Sequence, residues 1–217
     1  MGGIHKILHP LRDTTVLHQV LRSFCDCESI AGLVVICREK DADDFRCAIS
    51  EIEYPLTIPV TVTAGGDTRQ QSVRNGVNAI AFPAEYIAIH DGARPLIRPA
   101  DIEKVIADAR ISGAATLGVP VKDTIKVVRN GVIAETPDRA TLWQTQTPQV
   151  FRLSLYQDAM RLASEQGKDY TDDCQLVEAL GVSVTMTEGA YSNLKLTTPE
   201  DFAVAEALLA KEEFSHG

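Results

Sequence analysis

The chain has 217 residues, 45% hydrophobic and 24% charged, which suits one globular domain with a sizeable core and excludes a disordered or fibrous protein. Its formal net charge of -9 excludes a general binder of nucleic acid or membrane surface, since either needs a basic face against phosphate; a basic cleft within an acidic protein stays compatible. Five cysteines, an odd set with no C-x-x-C pair, point to free thiols in a reducing cytosol, and no apolar run is long enough to span a bilayer.

Taken in chain order, Val16, Leu17, Val20, Leu21 and Phe24 recur at helical spacing and predict a helix over residues 14–24, followed by a buried strand over 33–37. The same alternation continues with helix 41–52 and strand 58–62, helix 68–81 and strand 86–89, then helix 99–111 and strand 115–119. Such a rhythm predicts an α/β domain whose mainly parallel sheet carries helices on both faces. Residues 123–128 and 132–136 flank Asn130-Gly131 and read as a hairpin with a type I′ turn. Because that hairpin holds Lys122, Lys126 and Arg129 with few large apolar residues, it is expected to project from the body; an antiparallel edge ribbon on the same sheet also fits. The last helix is marked by Thr198 as N-cap, Pro199 at the first helical position and Asp201 placed for a capping-box contact. Its Phe202, Val204, Ala205 and Leu208 are expected to pack on the sheet. No repeat or linker divides the chain, so a single domain over 1–217 is expected, with an arm at about 122–142.

Three segments carry candidate chemistry. Strand 86–89 runs into His90-Asp91-Gly92-Ala93-Arg94-Pro95, and ligands in open α/β sheets bind outside the carboxyl ends of strands. There Asp91 can hold a divalent metal, Gly92 and Ala93 allow close approach, and Arg94 offers a planar fork to phosphate. A turn with an internal Asp–Arg pair is the plainer alternative. The turn Gly65-Gly66-Asp67, with Thr68, Arg69 and Ser72 entering a helix, brings backbone and free N–H groups toward a ligand, although an ordinary tight strand–helix turn looks the same. Lys195, within residues 193–201, stands on a predicted short strand just before a helix, where its ammonium reaches a ligand or solvent. His5 and His9 have metal-like spacing but no acidic third residue nearby, and no G-x-S-x-G elbow or Cys–His partnership supports a covalent mechanism.

In order, Lys6, Gly65-Gly66-Asp67…Arg69…Ser72, His90-Asp91-Gly92-Ala93-Arg94-Pro95, Asp123-Thr124, Asp138-Arg139, Gln146-Thr147-Pro148-Gln149, Thr171-Asp172-Asp173 and Asn193-Leu194-Lys195-Leu196-Thr197-Thr198-Pro199-Glu200-Asp201 resemble the 2-C-methyl-D-erythritol 4-phosphate cytidylyltransferases over nearly the whole chain. The resemblance implies a Rossmann-like nucleotidyltransferase fold with a projecting arm. It also implies an enzyme of the non-mevalonate isoprenoid pathway that joins CTP to methylerythritol phosphate with Mg²⁺ and releases pyrophosphate; the free thiols point to a cytoplasmic location, with a plastid one left open. By that resemblance Lys6 and Lys195 are catalytic and grip the triphosphate. Gly65, Gly66, Asp67, Ser72, Asp91 and Gly92 bind the nucleotide, with Asp91 also on the metal. Arg94, Thr124, Arg139 and Thr171 face the methylerythritol phosphate, Thr124 and Arg139 across a homodimer formed by arm exchange.

The sequence departs from the family pattern at its start. The first strand and the A-A-G-x-G-x-R-M loop that wraps the triphosphate are absent, so an unfilled central strand position, low stability and weak or no activity are expected of the chain as given. Ile7 replaces a frequent Gln, and Ser192 replaces a frequent acid. Two alternatives stay open: a ribitol 5-phosphate cytidylyltransferase, against which 90–94 and 139–143 weigh, and a non-catalytic nucleotide-binding scaffold, against which Lys6, Asp91 and Lys195 weigh. A dinucleotide-dependent oxidoreductase is remote, because no G-x-G-x-x-G follows a strand.

Overall fold

A computed structural model describes residues 6–216, with side chains described as far as residue 211. His5 and the other first residues lie outside it. Two short strands, β1 (Pro10–Leu11) and β2 (Thr14–Thr15), lead into α1 (Val16–Cys25), where the Thr15 side chain caps the first turn by accepting from the His18 amide. β3 (Leu33–Cys37) pairs in parallel with β4 (Val60–Ala64), with α2 (Ala42–Ser50) between them in sequence. α3 (Arg69–Asn78), β5 (Tyr86–Ile89), α4 (Pro99–Ser112) and β6 (Ala114–Pro120) continue the alternation. The hairpin is β7 (Val127–Arg129) and β8 (Val132–Glu135), and its turn residues Asn130 and Gly131 both take positive φ, as a type I′ turn requires. It pairs with no other strand among the described residues, so it is an arm and not an edge ribbon.

β9 (Trp143–Arg152) follows, then α5 (Leu153–Glu165), α6 (Asp173–Glu178), β10 (Thr185–Glu188) and α7 (Pro199–His216). The larger sheet has the order β10-β6-β9-β5. β10 lies parallel to β6, while β9 runs antiparallel to both β6 and β5, so the expectation of a mainly parallel sheet is corrected to a mixed one. β9 escapes the sequence pattern because its middle is polar and contains a proline. Gln146, Thr147 and Gln149 are nevertheless buried there, where their side chains hydrogen-bond to Ala190, His90 and Asp172 on neighbouring loops. Pro148 follows a cis peptide at the irregularity in β6–β9 pairing, where its missing N–H costs no ladder bond.

Helices cover both faces. Phe24 of α1 and Ile102, Val105 and Ile106 of α4 pack with Leu117 and Val150 on one face; Val73, Tyr156, Met160 and Leu176 pack with Ile87 and Phe151 on the other. α7 does not pack on the sheet as expected. Phe202 and Ala205 meet Leu11, Val16, Leu96 and Leu196, and Val204 faces solvent. Asp201 does cap that helix, accepting from the Thr197 and Thr198 amides. The five cysteines are free thiols. Among the described residues no helix is long and apolar enough to cross a membrane.

β3 and β5 each have one strand neighbour among the described residues, and an apolar cavity of about 560 Å³ lies between them. Val34, Ile36, Tyr86, Ala88 and Phe82 line it. Ile36, in the middle of its sheet sequence, is 36% exposed.

Candidate active site

β5, β6 and β10 share one direction, so the loops after them emerge at one edge of the sheet. The loop after β5 is held by a one-way hydrogen-bond chain. The Asp91 amide donates to Thr147 Oγ1 at 3.0 Å, the Thr147 hydroxyl donates to His90 Nδ1 at 3.0 Å, and His90 Nε2 donates to the Arg94 carbonyl at 3.1 Å. That sequence of donors requires a neutral imidazole with its proton on Nε2. Burial pushes the His90 pKa down to about 4, which keeps it in that form near neutral pH. His90 therefore shapes the loop and aims Asp91.

Burial alone would raise the Asp91 pKa, but the hydrogen bond and charge of Lys195, with Arg94 and His90, bring it below the ordinary carboxylate value. Lys195 Nζ lies 2.8 Å from Asp91 Oδ2, and Arg94 Nε lies 3.5 Å from the same oxygen. Arg94 does not extend its fork outward as expected. Its Nη1 donates to the Asn193 carbonyl at 2.7 Å, so the internal Asp–Arg turn and a partly occupied guanidinium coexist.

The segment before α7 has no strand at Lys195, contrary to expectation. It is fastened instead by Asn193, 1% exposed, whose amide donates to Gln146 Oε1 at 3.3 Å and to the Thr147 carbonyl at 2.9 Å. The Leu196 amide donates to the Ala93 carbonyl at 2.8 Å, and Lys6 Nζ donates to the Leu196 carbonyl at 3.4 Å. Lys6, Asp91, Arg94 and Lys195 are thus gathered by three loops. Lys195 and Arg94 share Asp91, and Lys6 reaches the residue after Lys195, which concentrates positive charge on these loops in a protein of net negative charge. Thr147 and Asn193, which build this arrangement, stand within the segments 146–149 and 193–201 that carry the family resemblance, but neither is among the expected site residues. Ile7 packs beside Gly92 and lines the apolar cavity, which accounts for an apolar residue there.

After β4, Gly66 N–H donates to Ser72 Oγ at 3.0 Å, and Asp67 N–H donates to Gln71 Oε1 at 3.0 Å. A Cβ on Gly66 would lie 2.5 Å from Gln71 Cβ, and one on Gly65 would lie 2.8 Å from Ser72 Oγ. The helix start and its turn are packed too closely for a side chain at either position. Thr68 caps α3, accepting from the Gln71 amide. Thr171 is exposed on the segment leading to α6, beside Asp172, which caps that helix and accepts from Gln149 Nε2 at 2.6 Å. Thr124 and Arg139 lie on the arm, where Arg139 Nη1 donates to the Lys122 carbonyl at 2.7 Å. Lys122 stacks over Tyr191, whose hydroxyl donates to the Pro120 carbonyl, so the base of the arm leans on the loop that carries Asn193. No described contact joins Thr124 or Arg139 to Asp91 or Lys195 within one chain.

A mixed α/β sheet with lysine and arginine side chains on the loops at its strand ends suits a domain that takes a phosphate ligand. Residues 1–211 match the family model described as 2-C-methyl-D-erythritol 4-phosphate cytidylyltransferase, and the chain belongs to that family. A curated relative of that name from Syntrophotalea carbinolica is 46% identical over 96% of this chain and 89% of its own length. One from Bacillus velezensis is 39% identical over 99% and 92%. The solved structure of 4-diphosphocytidyl-2C-methyl-D-erythritol synthase from Anaerococcus prevotii superposes with a TM-score of 0.85 at 26% identity, covering 94% of this chain and 93% of that one.

Proposed function

We propose that this chain transfers the cytidylyl group of CTP to 2-C-methyl-D-erythritol 4-phosphate. A phosphate oxygen of the polyol attacks the α-phosphorus, the bond to the bridging oxygen of the β-phosphate breaks, and pyrophosphate leaves. The observation that carries this reading is the pairing of Lys195 and Arg94 with an ionised Asp91, with Lys6 on the carbonyl of the residue after Lys195. The nucleophile is already an anion near neutral pH, so the reaction needs no general base; it needs positioning and charge neutralisation, and this set supplies both. Lys195 and Lys6 hold the phosphates as charge develops on the leaving group. Gly66, Asp67 and Ser72 read the cytosine from the α3 turn.

Among the described residues no three ligating side chains cluster to make an all-protein metal cage. Asp91 alone fits Mg²⁺ held chiefly by substrate phosphates and one carboxylate, the usual mode for nucleotide enzymes. When bound, Mg²⁺ neutralises phosphate charge. Asp91 is kept ionised for that role by Lys195.

The active form is a homodimer in which Thr124 and Arg139 of each arm serve the partner's site. Support comes from the arm itself, which exposes Ile125, Val128, Val132 and Ile133. The expected polar hairpin thus carries an apolar strip that a second copy covers. Pyrophosphate release from CTP and Mg²⁺ tests the substrate reading. In the full-length enzyme, turnover is expected with methylerythritol phosphate and not with ribitol 5-phosphate; equal or greater turnover of the ribitol compound overturns it.

A further inference from the structure

Four links tie the first turn of α3 to a segment about a hundred residues later. Thr68 Oγ1 donates to Asp169 Oδ1 at 3.3 Å, and Gln70, itself buried, donates to the Lys168 carbonyl at 3.3 Å and accepts from the Tyr170 amide at 2.9 Å. Arg69 Nη2 meets Asp173 Oδ2 at 2.5 Å. The other oxygen of Asp173 accepts from the Tyr156 hydroxyl at 2.6 Å. Asp173 is 2% exposed and Tyr156 fully buried, so the carboxylate has protein partners in place of water.

The two ends of this brace are different in kind. On one side stand Gly66, Asp67 and Ser72; on the other stands Thr171, two residues before Asp173. Arg69 is 35% exposed while its partner Asp173 is 2% exposed, so the pair runs from the surface into the interior between these two segments.

We propose that Arg69, Asp173 and Tyr156 are positioning residues that couple the nucleotide subsite to the polyol phosphate subsite, so that filling one orders the other. This rests on the reading under Proposed function. Either substrate fixes its own loop, and the rigid pair transmits that order across the cleft, so each substrate raises affinity for the other by the same factor. The pair is asymmetric in exposure. Its buried half, fixed by Tyr156, holds the exposed half in place.

The test measures CTP affinity with and without methylerythritol phosphate, using Ca²⁺ in place of Mg²⁺ to suppress turnover. Wild-type protein should show at least about a fivefold gain. In Arg69→Met the gain should fall to near one, and both KM values should rise more than kcat falls. Should that variant fail to fold, Tyr156→Phe, which removes one hydroxyl and keeps the ion pair, should still halve the gain. A wild-type factor of one, or an undiminished factor in a folded variant, overturns the proposal. Absence of wild-type turnover instead sinks the substrate reading, so the two failures are told apart.

Discussion

Replacing Lys195 by alanine separates its two possible tasks by magnitude. Its ammonium sits 2.8 Å from Asp91 but is 44% exposed, so as an ion pair it stabilises the fold by at most about 1 kcal/mol. As a donor aimed at the transferring phosphate it acts where charge develops, and losing such a contact costs about 3 kcal/mol, or roughly a hundredfold in rate. The expected result is a fall of about a hundredfold in both kcat and kcat/KM, with a change of stability under about 1 kcal/mol in a denaturant titration. A second signature follows from Asp91. Without Lys195 the burial that raises its pKa is less opposed, so residual activity should fail at a higher pH than in the wild type as acid is added. Turnover within about threefold of the wild type, together with marked destabilisation, would falsify the catalytic assignment and return Lys195 to a structural one.

Mixed dimers of a Lys195→Ala subunit with an Arg139→Ala subunit should regain activity, since crossed arms collect both defects in one site and leave the other intact; no recovery in verified heterodimers argues for arms that serve their own chain. His90 has a folded pKa near 4, below its ordinary 6.5, so its contribution is present above pH 6.5 and lost as pH falls toward 4. The stability difference between wild type and His90→Gln should shrink by about 2 kcal/mol between pH 7 and pH 5, and a flat difference counts against the neutral imidazole. Asn193→Leu should cost about 2 to 3 kcal/mol, because Gln146 Oε1 and the Thr147 carbonyl lose their buried donor; thermal melting reads this, and an unchanged midpoint refutes it.

Much of the fold is legible because apolar spacing reports burial directly. Strands 33–37 and 86–89 stand at the residues their apolar runs indicate, and Asn130-Gly131 reports its turn through backbone geometry alone. β9 is not legible, since Gln146, Thr147 and Gln149 are buried by virtue of hydrogen bonds to partners that one sequence does not display. Lys195 shows the same limit. Its apolar neighbours Leu194 and Leu196 mimic a strand, yet they are held by packing against Leu11 and Phe202 and by a single amide bond to Ala93. The site residues come from loops far apart in sequence, and it is the buried polar residues between them that fix their separation.

The cavity between β3 and β5 divides the molecule into two tiers of unequal depth. β6 and residues 146–151 of β9 are enclosed, with Leu117, Val150 and Phe151 fully shielded, whereas β3 is only half-covered along most of its length. The β3–β4 pair packs on α1 and α2 through Val35, Val62 and Phe45 and borders the cavity elsewhere, so that tier is the less enclosed and should open at lower free energy than the other. Its amides should then exchange with deuterium through local opening, while those of β6 and β9 wait for global unfolding. The turn at residues 65–67, proposed to read the cytosine, leaves from the looser tier and Asp91 from the deeper one, so motion across this seam should vary the distance between them.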